Sequence, residues 1–320
     1  MIFLVLLLLL AAPATARDPG RWRYVGANST PIRYFQGLTP DDQGNVYFNG
    51  VTEGVYRTAG AAETGGNYHI IPRAVHRREG YNHIGALAFS RGRLLLPLEC
   101  YYPRHGGNTC KTGAIGVADR NLRWMYYVKL AQQDIRKAMW AQVSPDGQTL
   151  WTSSGAWLFG YRMSDIAPAN AAPSGLAIHP YRSLPSPIRP TRYAPGPTGA
   201  TFFGDTKLLL AGKQGSRQRV WSVDTRTAAT ALEIDRADRG ESEGLAFYGS
   251  QLHWQVQPFT SAYFRRHPNH RHGLVLNFVS AETESPPPGP LPTQRPPGTV
   301  PPAPKPCGDV VAQLLGLCRR

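Results

Sequence analysis

The sequence predicts an all-β fold of repeated four-stranded units closed into a ring, and three observations carry that prediction. A small residue, a short apolar run, a tight turn and a second apolar run recur five times; a third and usually a fourth strand-like run follow each recurrence; and an N-terminal run supplies the one strand that the last unit lacks. The copies are FQGLTPDDQGNVYF, NHIGALAFSRGRLLL, MWAQVSPDGQTLW, PTGATFFGDTKLLL and SEGLAFYGSQLHW, anchored at Gly37, Gly85, Ala141, Gly199 and Gly244. Their turns are built from Asp-Gly, Gly-Arg, Gly-Asp and Gly-Ser, the residues that close hairpins.

Third strands are predicted at GVYRT (54–58), GAIGVAD (113–119), WLFGYRM (157–163), RVWSVDT (219–225) and GLVLNFV (273–279). Fourth strands are predicted at NYHIIPRAV (67–75), RWMYYVKL (123–130), IHPYRSL (178–184) and TALEIDR (230–236). Four strands per unit, with the unit repeated, is the signature of a β-propeller. The fifth unit has no fourth strand of its own, because the chain turns into SAETESPPPGP after Val279. RWRYVGA (21–27) resembles RWMYYVKL and would complete it, which removes an open sheet edge and closes the ring. Five blades follow, with six as the alternative if the Pro-rich stretch 166–197 conceals another. A TIM barrel or a sandwich is disfavoured by the absence of helical periodicity between strands.

Around this domain, assigned to residues 17–280, lie three segments of different composition. MIFLVLLLLLAAPATA (1–16) matches a secretory signal peptide with a small-residue cleavage site, an uncleaved membrane anchor being the alternative. Residues 281–306 form a Pro-rich linker, extended and semi-rigid, and 307–320 a short Cys-flanked tail. Export implies a secreted or cell-envelope location and oxidised cysteines, which fall into two near pairs, Cys100 with Cys110 and Cys307 with Cys318, among three connectivities. The net charge of +14 points to a basic solvated surface and to acidic partners such as an anionic envelope polymer, a protein or lipid headgroups. No nucleic-acid motif is present, and a monomer is expected.

The inner hairpins, above all EGLAF (243–247) and VSPDGQTLW (143–151), resemble the secreted bacterial β-propellers of the NHL, YVTN and SMP-30/gluconolactonase-like group. The resemblance covers about residues 20–280 and specifies architecture better than activity. It implies that residues just before each blade's first strand face the central channel. In lactonase-like members a Glu, an Asn and an Asp there surround a divalent cation, commonly calcium. Carried to this chain, those positions are Gln36, Asn82 and His83, Trp140, Thr198, and Glu243 with Glu241 and Ser242 beside it. Glu243 and Asn82 become the candidate metal ligands, and Glu243 and His83 the candidate catalytic groups. Only one blade supplies a carboxylate at the matched position, so the lactonase ligand set is not reproduced.

Each candidate has a plainer reading. Glu243 would accept backbone N–H bonds or pair with an arginine, His83 would bond a neighbour as neutral imidazole, Asn82 would turn the chain, and Trp140 would plug the core. Glu99, before Cys100, either points into a pocket with Tyr101 and Tyr102 or is an exposed strand-end acid. His267, His270 and His272 read as a solvated loop, because Arg265, Arg266 and Arg271 repel a cation. No triad order, nucleophile elbow or Walker loop is present. The chain therefore reads as an exported binding module, with a cation-dependent hydrolase or lactonase as the alternative and a purely structural envelope protein as the second.

Overall fold

The computed structural model describes residues 21–50, 53–60, 62–102, 107–131, 133, 135–191, 196–237, 240–257 and 272–280. The assigned signal segment, linker and tail, with Cys307 and Cys318, lie outside the described residues, as do His267 and His270. Among the described residues no helix is long and apolar enough to cross a membrane.

Five four-stranded antiparallel blades form a propeller. From the axis outward, blade I is β2 (Gly37–Pro40), β3 (Asn45–Asn49), β4 (Val55–Ala59) and β5 (Ala62–Asn67). In blade II the innermost strand comes in two pieces, β6 (His83–Ile84) and β7 (Ala88–Ser90), both on β8 (Arg93–Glu99). A small ribbon, β9 (Tyr101–Tyr102) and β10 (Gly107–Asn108), interrupts the path to β11 (Ala114–Asp119) and β12 (Trp124–Lys129). Blade III is β13 (Gln142–Val143), β14 (Thr149–Ser154), β15 (Trp157–Arg162) and β16 (Arg182–Pro185); blade IV is β17 (Pro197–Phe203), β18 (Lys207–Gln214), β19 (Arg217–Asp224) and β20 (Thr230–Arg236). Blade V is β21 (Glu241–Tyr248), β22 (Gln251–Gln257), β23 (His272–Ser280) and, outermost, the N-terminal strand β1 (Trp22–Pro31).

The closing strand pairs antiparallel with β23 from Trp22 opposite Ser280 to Pro31 opposite His272. Its first side chain also reaches backwards. Trp22 donates its indole N–H to buried Glu233 on β20 at 3.0 Å and packs edge-on against Phe203, so the clasp holds blades IV and V together. Removing that acceptor leaves a buried indole N–H unpaired, which costs about 1–3 kcal/mol. Glu233→Ala is therefore expected to lower the unfolding midpoint by several degrees, and a thermal melt checks it.

One expected element differs. The outer strand of blade I is AETGGN (62–67), and the run expected to form it (67–75) instead turns after Asn67 and ends in the first residues of α1 (Arg73–Glu79). Pro72 cannot donate to a ladder but suits a helix start, and Gly80, at φ 83°, closes the helix with its N–H on the His76 carbonyl. Glu79 then ties the helix to blade II, accepting from Tyr127 at 2.8 Å and pairing with Lys129 at 2.9 Å.

Core side chains gather in clusters between successive blades, and the alternation of side chains sorts them. On β8, Leu94, Leu96 and Leu98 pack toward blade I while Leu95 packs toward blade III, which is why LLLPL (94–98) is apolar without a break. The five innermost strands touch in a closed ring, β2 to β7 to β13 to β17 to β21 and back to β2. The repeated small residue exists for this contact. A Cβ on Gly37 would lie 2.7 Å from the Ala86 Cα, on Gly85 1.9 Å from the Met139 carbonyl oxygen, on Gly199 2.2 Å from that of Glu243, and on Gly244 2.7 Å from the Gly37 Cα. Backbone bonds follow between blades II and III: Ala86 donates to the Met139 carbonyl and Ala141 to that of Ala86, both at 2.9 Å.

Candidate functional site

Backbone packing at the glycine level narrows the axis, so side-chain chemistry near it comes from residues around the starts of the innermost strands. Gln36 precedes β2, and its amide donates to a Glu243 carboxyl oxygen at 3.0 Å, joining blades I and V across their seam. Glu243 is 5 % exposed. Burial, reinforced by repulsion from Glu241 and Glu99, holds its carboxyl well above the usual range. Glu241, more open to solvent at the start of β21, is also held above its usual range by desolvation, with Lys213 pulling the other way. Glu243 thus feels two further carboxyl groups, one from its own blade and one from blade II, in a chain whose overall charge is strongly positive.

Blade II supplies a second group. His83 stands opposite Glu99 across β6 and β8, both 5 % exposed, and the imidazole lies 5.4 Å from the Tyr101 ring. Glu99 is thus a buried acid rather than an exposed strand end. Asn82 has its amide committed at both ends to the Tyr101 backbone, donating to the carbonyl at 3.0 Å and accepting from the N–H at 2.7 Å. The Cys100–Cys110 disulfide, Cα atoms 5.0 Å apart, closes the loop beside them. Tyr101 is 38 % exposed and forms the open edge of this group.

The remaining candidates are wall. Trp140 is fully buried with Trp151 and Ala86 in the core between blades III and IV, its indole N–H satisfied by the Ser153 hydroxyl at 2.7 Å. Thr198 is buried with its hydroxyl donating to the Ala211 carbonyl at 3.4 Å. The structure therefore joins Gln36 to Glu243 and sets Glu99 and Glu241 within electrostatic reach, while Trp140 and Thr198 face packing partners.

Two residues escaped the sequence reading. Asn49 and Gln255 lie on the second strands β3 and β22, beside the anchor glycines, and each crosses to the next blade. Asn49 donates to the Ile84 and Gly85 carbonyls at 2.7 and 3.1 Å, and Gln255 to the Tyr34 carbonyl. Their amide oxygens sit where a glycine side chain would be, 2.6 Å from the Cβ position of Gly37 and 2.7 Å from that of Gly244.

The calcium implied by the sequence resemblance fits this donor set poorly. Among the described residues no group of three or more His, Cys, Asp or Glu side chains is placed to hold a metal ion. A hard cation wants six or more oxygens, and the Asn82 amide is already spent on backbone.

No protein-family model matches the chain. No curated protein matches it either. Solved structures similar to it include the PQQ-bound aldose sugar dehydrogenase from Streptomyces coelicolor, at 11 % identity over 81 % of this chain and 97 % of that one, TM-score 0.41. The calcium-binding protein regucalcin from Agrobacterium tumefaciens is similar at 15 % identity, over 78 % and 92 %, TM-score 0.38. A chain of the mitotic checkpoint complex is similar at 13 % identity, over 82 % and 73 %, TM-score 0.40. At these scores the likeness carries nothing about activity.

Proposed function

We propose that this chain is an exported ligand-binding propeller whose binding surface is the end of the axis marked by Gln36, Glu99, Glu241 and Glu243. The observation that carries the reading is the Gln36–Glu243 pair. It is a buried carboxyl bonded across the seam between blades, in the company of two further acids, beside an axis narrowed by backbone contact. A carboxyl that keeps its proton to higher pH than usual offers both a donor and an acceptor, and with the Gln36 amide it suits a neutral polar or hydroxylated ligand. The rival reading, carried over from the sequence resemblance, is a cation-dependent hydrolase or lactonase, which would need Glu243 ionised by a bound metal.

A panel of sugars, polyols, lactones and activated esters distinguishes the two. Ligands present at a hundredfold over their dissociation constants add about 2.7 kcal/mol, a rise of a few degrees in midpoint. The binding reading expects such a rise in the wild type, its loss in Gln36→Ala and Glu243→Gln, and no turnover. Hydrolysis of a lactone or ester that disappears in Glu243→Gln would overturn it.

A further inference from the structure

A second polar recess lies on the flank of the ring, where the outer strand of blade I meets the turn between β11 and β12 of blade II. It encloses about 390 Å³ and is lined by Arg57, Thr64, Asn67, Asn121 and Arg123 over Leu122, with Gly65 and Gly66 along one side. None of these residues is acidic. The nearby carboxylates are occupied: Asp119 holds Arg123 at 3.0 Å, Asp42 holds Arg120 at 3.4 Å, and Glu63 pairs with Arg33 at 3.1 Å.

The recess is built rather than incidental. Arg57 is pinned by three bonds, from Nε to the Thr64 hydroxyl at 3.2 Å and from Nη1 to the Arg120 carbonyl and the Asn121 amide oxygen at 3.2 and 3.3 Å. None of those bonds uses Nη2, which lies 3.8 Å from the Cβ position of Gly65, so the bare glycine leaves that edge of the guanidinium uncovered. The opposite wall is fixed to blade I as well, by Tyr47 on the Arg120 carbonyl and Asn67 on the Leu122 carbonyl, both at 3.0 Å. A guanidinium already held in place loses little freedom on meeting an anion, and guanidinium planes match paired carboxylate oxygens.

We infer that this recess is a binding site for the carboxylate of an acidic sugar residue, with Arg57 taking the charge and Arg123, already paired with Asp119, joining Thr64 and Asn121 in meeting adjacent hydroxyls. The inference is independent of the channel reading, since the recess shares no residue with that site. The strongly positive net charge would bring polyanions to the surface, and the recess would select among them.

The test is calorimetric titration of the disulfide-intact full chain with trigalacturonate at 0.15 M salt, against neutral galactotriose and inorganic phosphate. Loss of charge-assisted bonds should weaken trigalacturonate binding about tenfold or more in Arg57→Gln and Arg123→Gln. Gly65→Asp provides a variant that keeps every bond of Arg57 while setting a carboxylate beside Nη2, and it should lose binding equally with an unchanged melt. Arg77→Gln, which removes an exposed charge on α1, should stay within about twofold of wild type. Equal losses in Arg77→Gln and the recess variants would overturn the inference in favour of diffuse charge. So would trigalacturonate binding unaffected by Gly65→Asp. Phosphate binding as tightly as trigalacturonate, and displacing it, would overturn the assignment to a sugar acid.

Discussion

Replacing Gly85 by alanine is expected to cost about 3 kcal/mol or more and to shift the denaturation midpoint accordingly, although the added group is a single methyl. The reason is where the methyl would land: 1.9 Å from the Met139 carbonyl oxygen, 2.4 Å from its carbonyl carbon and 3.0 Å from its Cα. All three are backbone atoms of the neighbouring blade. Relief would require blades II and III to separate at the axis, breaking the Ala86–Met139 and Ala141–Ala86 bonds. Gly65→Ala is the matched control, because the only atom near its Cβ position is the far end of Arg57 at 3.8 Å. Urea unfolding of the two variants beside wild type measures the difference. Equal stability of Gly85→Ala and Gly65→Ala would mean that the inner strands do not meet as described.

The second large effect concerns Glu243 and runs opposite to the usual outcome of removing a buried charge. Its folded-state carboxyl titrates well above the usual value, through burial first and then the Glu241 and Glu99 charges. Below pH 4 the group is protonated in folded and unfolded chains alike, and it costs nothing. As the pH rises past the ordinary carboxyl value the unfolded chain releases the proton while the folded chain retains it, so stability falls by about 1.4 kcal/mol per pH unit until the folded carboxyl ionises. Glu243→Gln keeps the size and a polar terminus while removing the titration. The variant is therefore expected to match wild type at low pH and to exceed it by a margin that grows with pH until the folded carboxyl ionises. Thermal midpoints of the pair at half-unit intervals provide the curve, and taking the difference between variants cancels other titrating groups. A destabilised variant at pH 7 would mean that an ionised Glu243 makes a stabilising partnership in the native state.

Much of the ring was legible because its rules are local. A small anchor, a hairpin turn and alternating apolar runs are written in each copy, and Trp22 with its neighbours advertised the strand missing from blade V. AETGGN (62–67) was not legible as a strand, since Glu and Gly carry no strand preference and the segment is held by its ladder to β4. The helix at Arg73–Glu79 was obscured by the apolar Ile70 and Ile71 just before it. At the site, Glu243 and Gln36 stood out by position, but their bond crosses 207 residues of sequence and depends on ring closure. The fates of Trp140 and Asn82 depend equally on tertiary partners, a Ser153 hydroxyl and the Tyr101 backbone. Asn49 and Gln255 were invisible because an amide on an inner strand has no local signature.

The central claim, a metal-free Glu243 whose raised carboxyl serves a ligand site at the end of the axis, meets its most direct test in the thermal midpoint of the disulfide-intact protein at pH 7.5. It is recorded in excess calcium and again in excess chelator, for wild type and Glu243→Gln. The account predicts wild-type midpoints that coincide in the two solutions, with the variant higher in both. A calcium-dependent rise in wild type that vanishes in Glu243→Gln would contradict it, because the carboxylate would then be an ionised metal ligand.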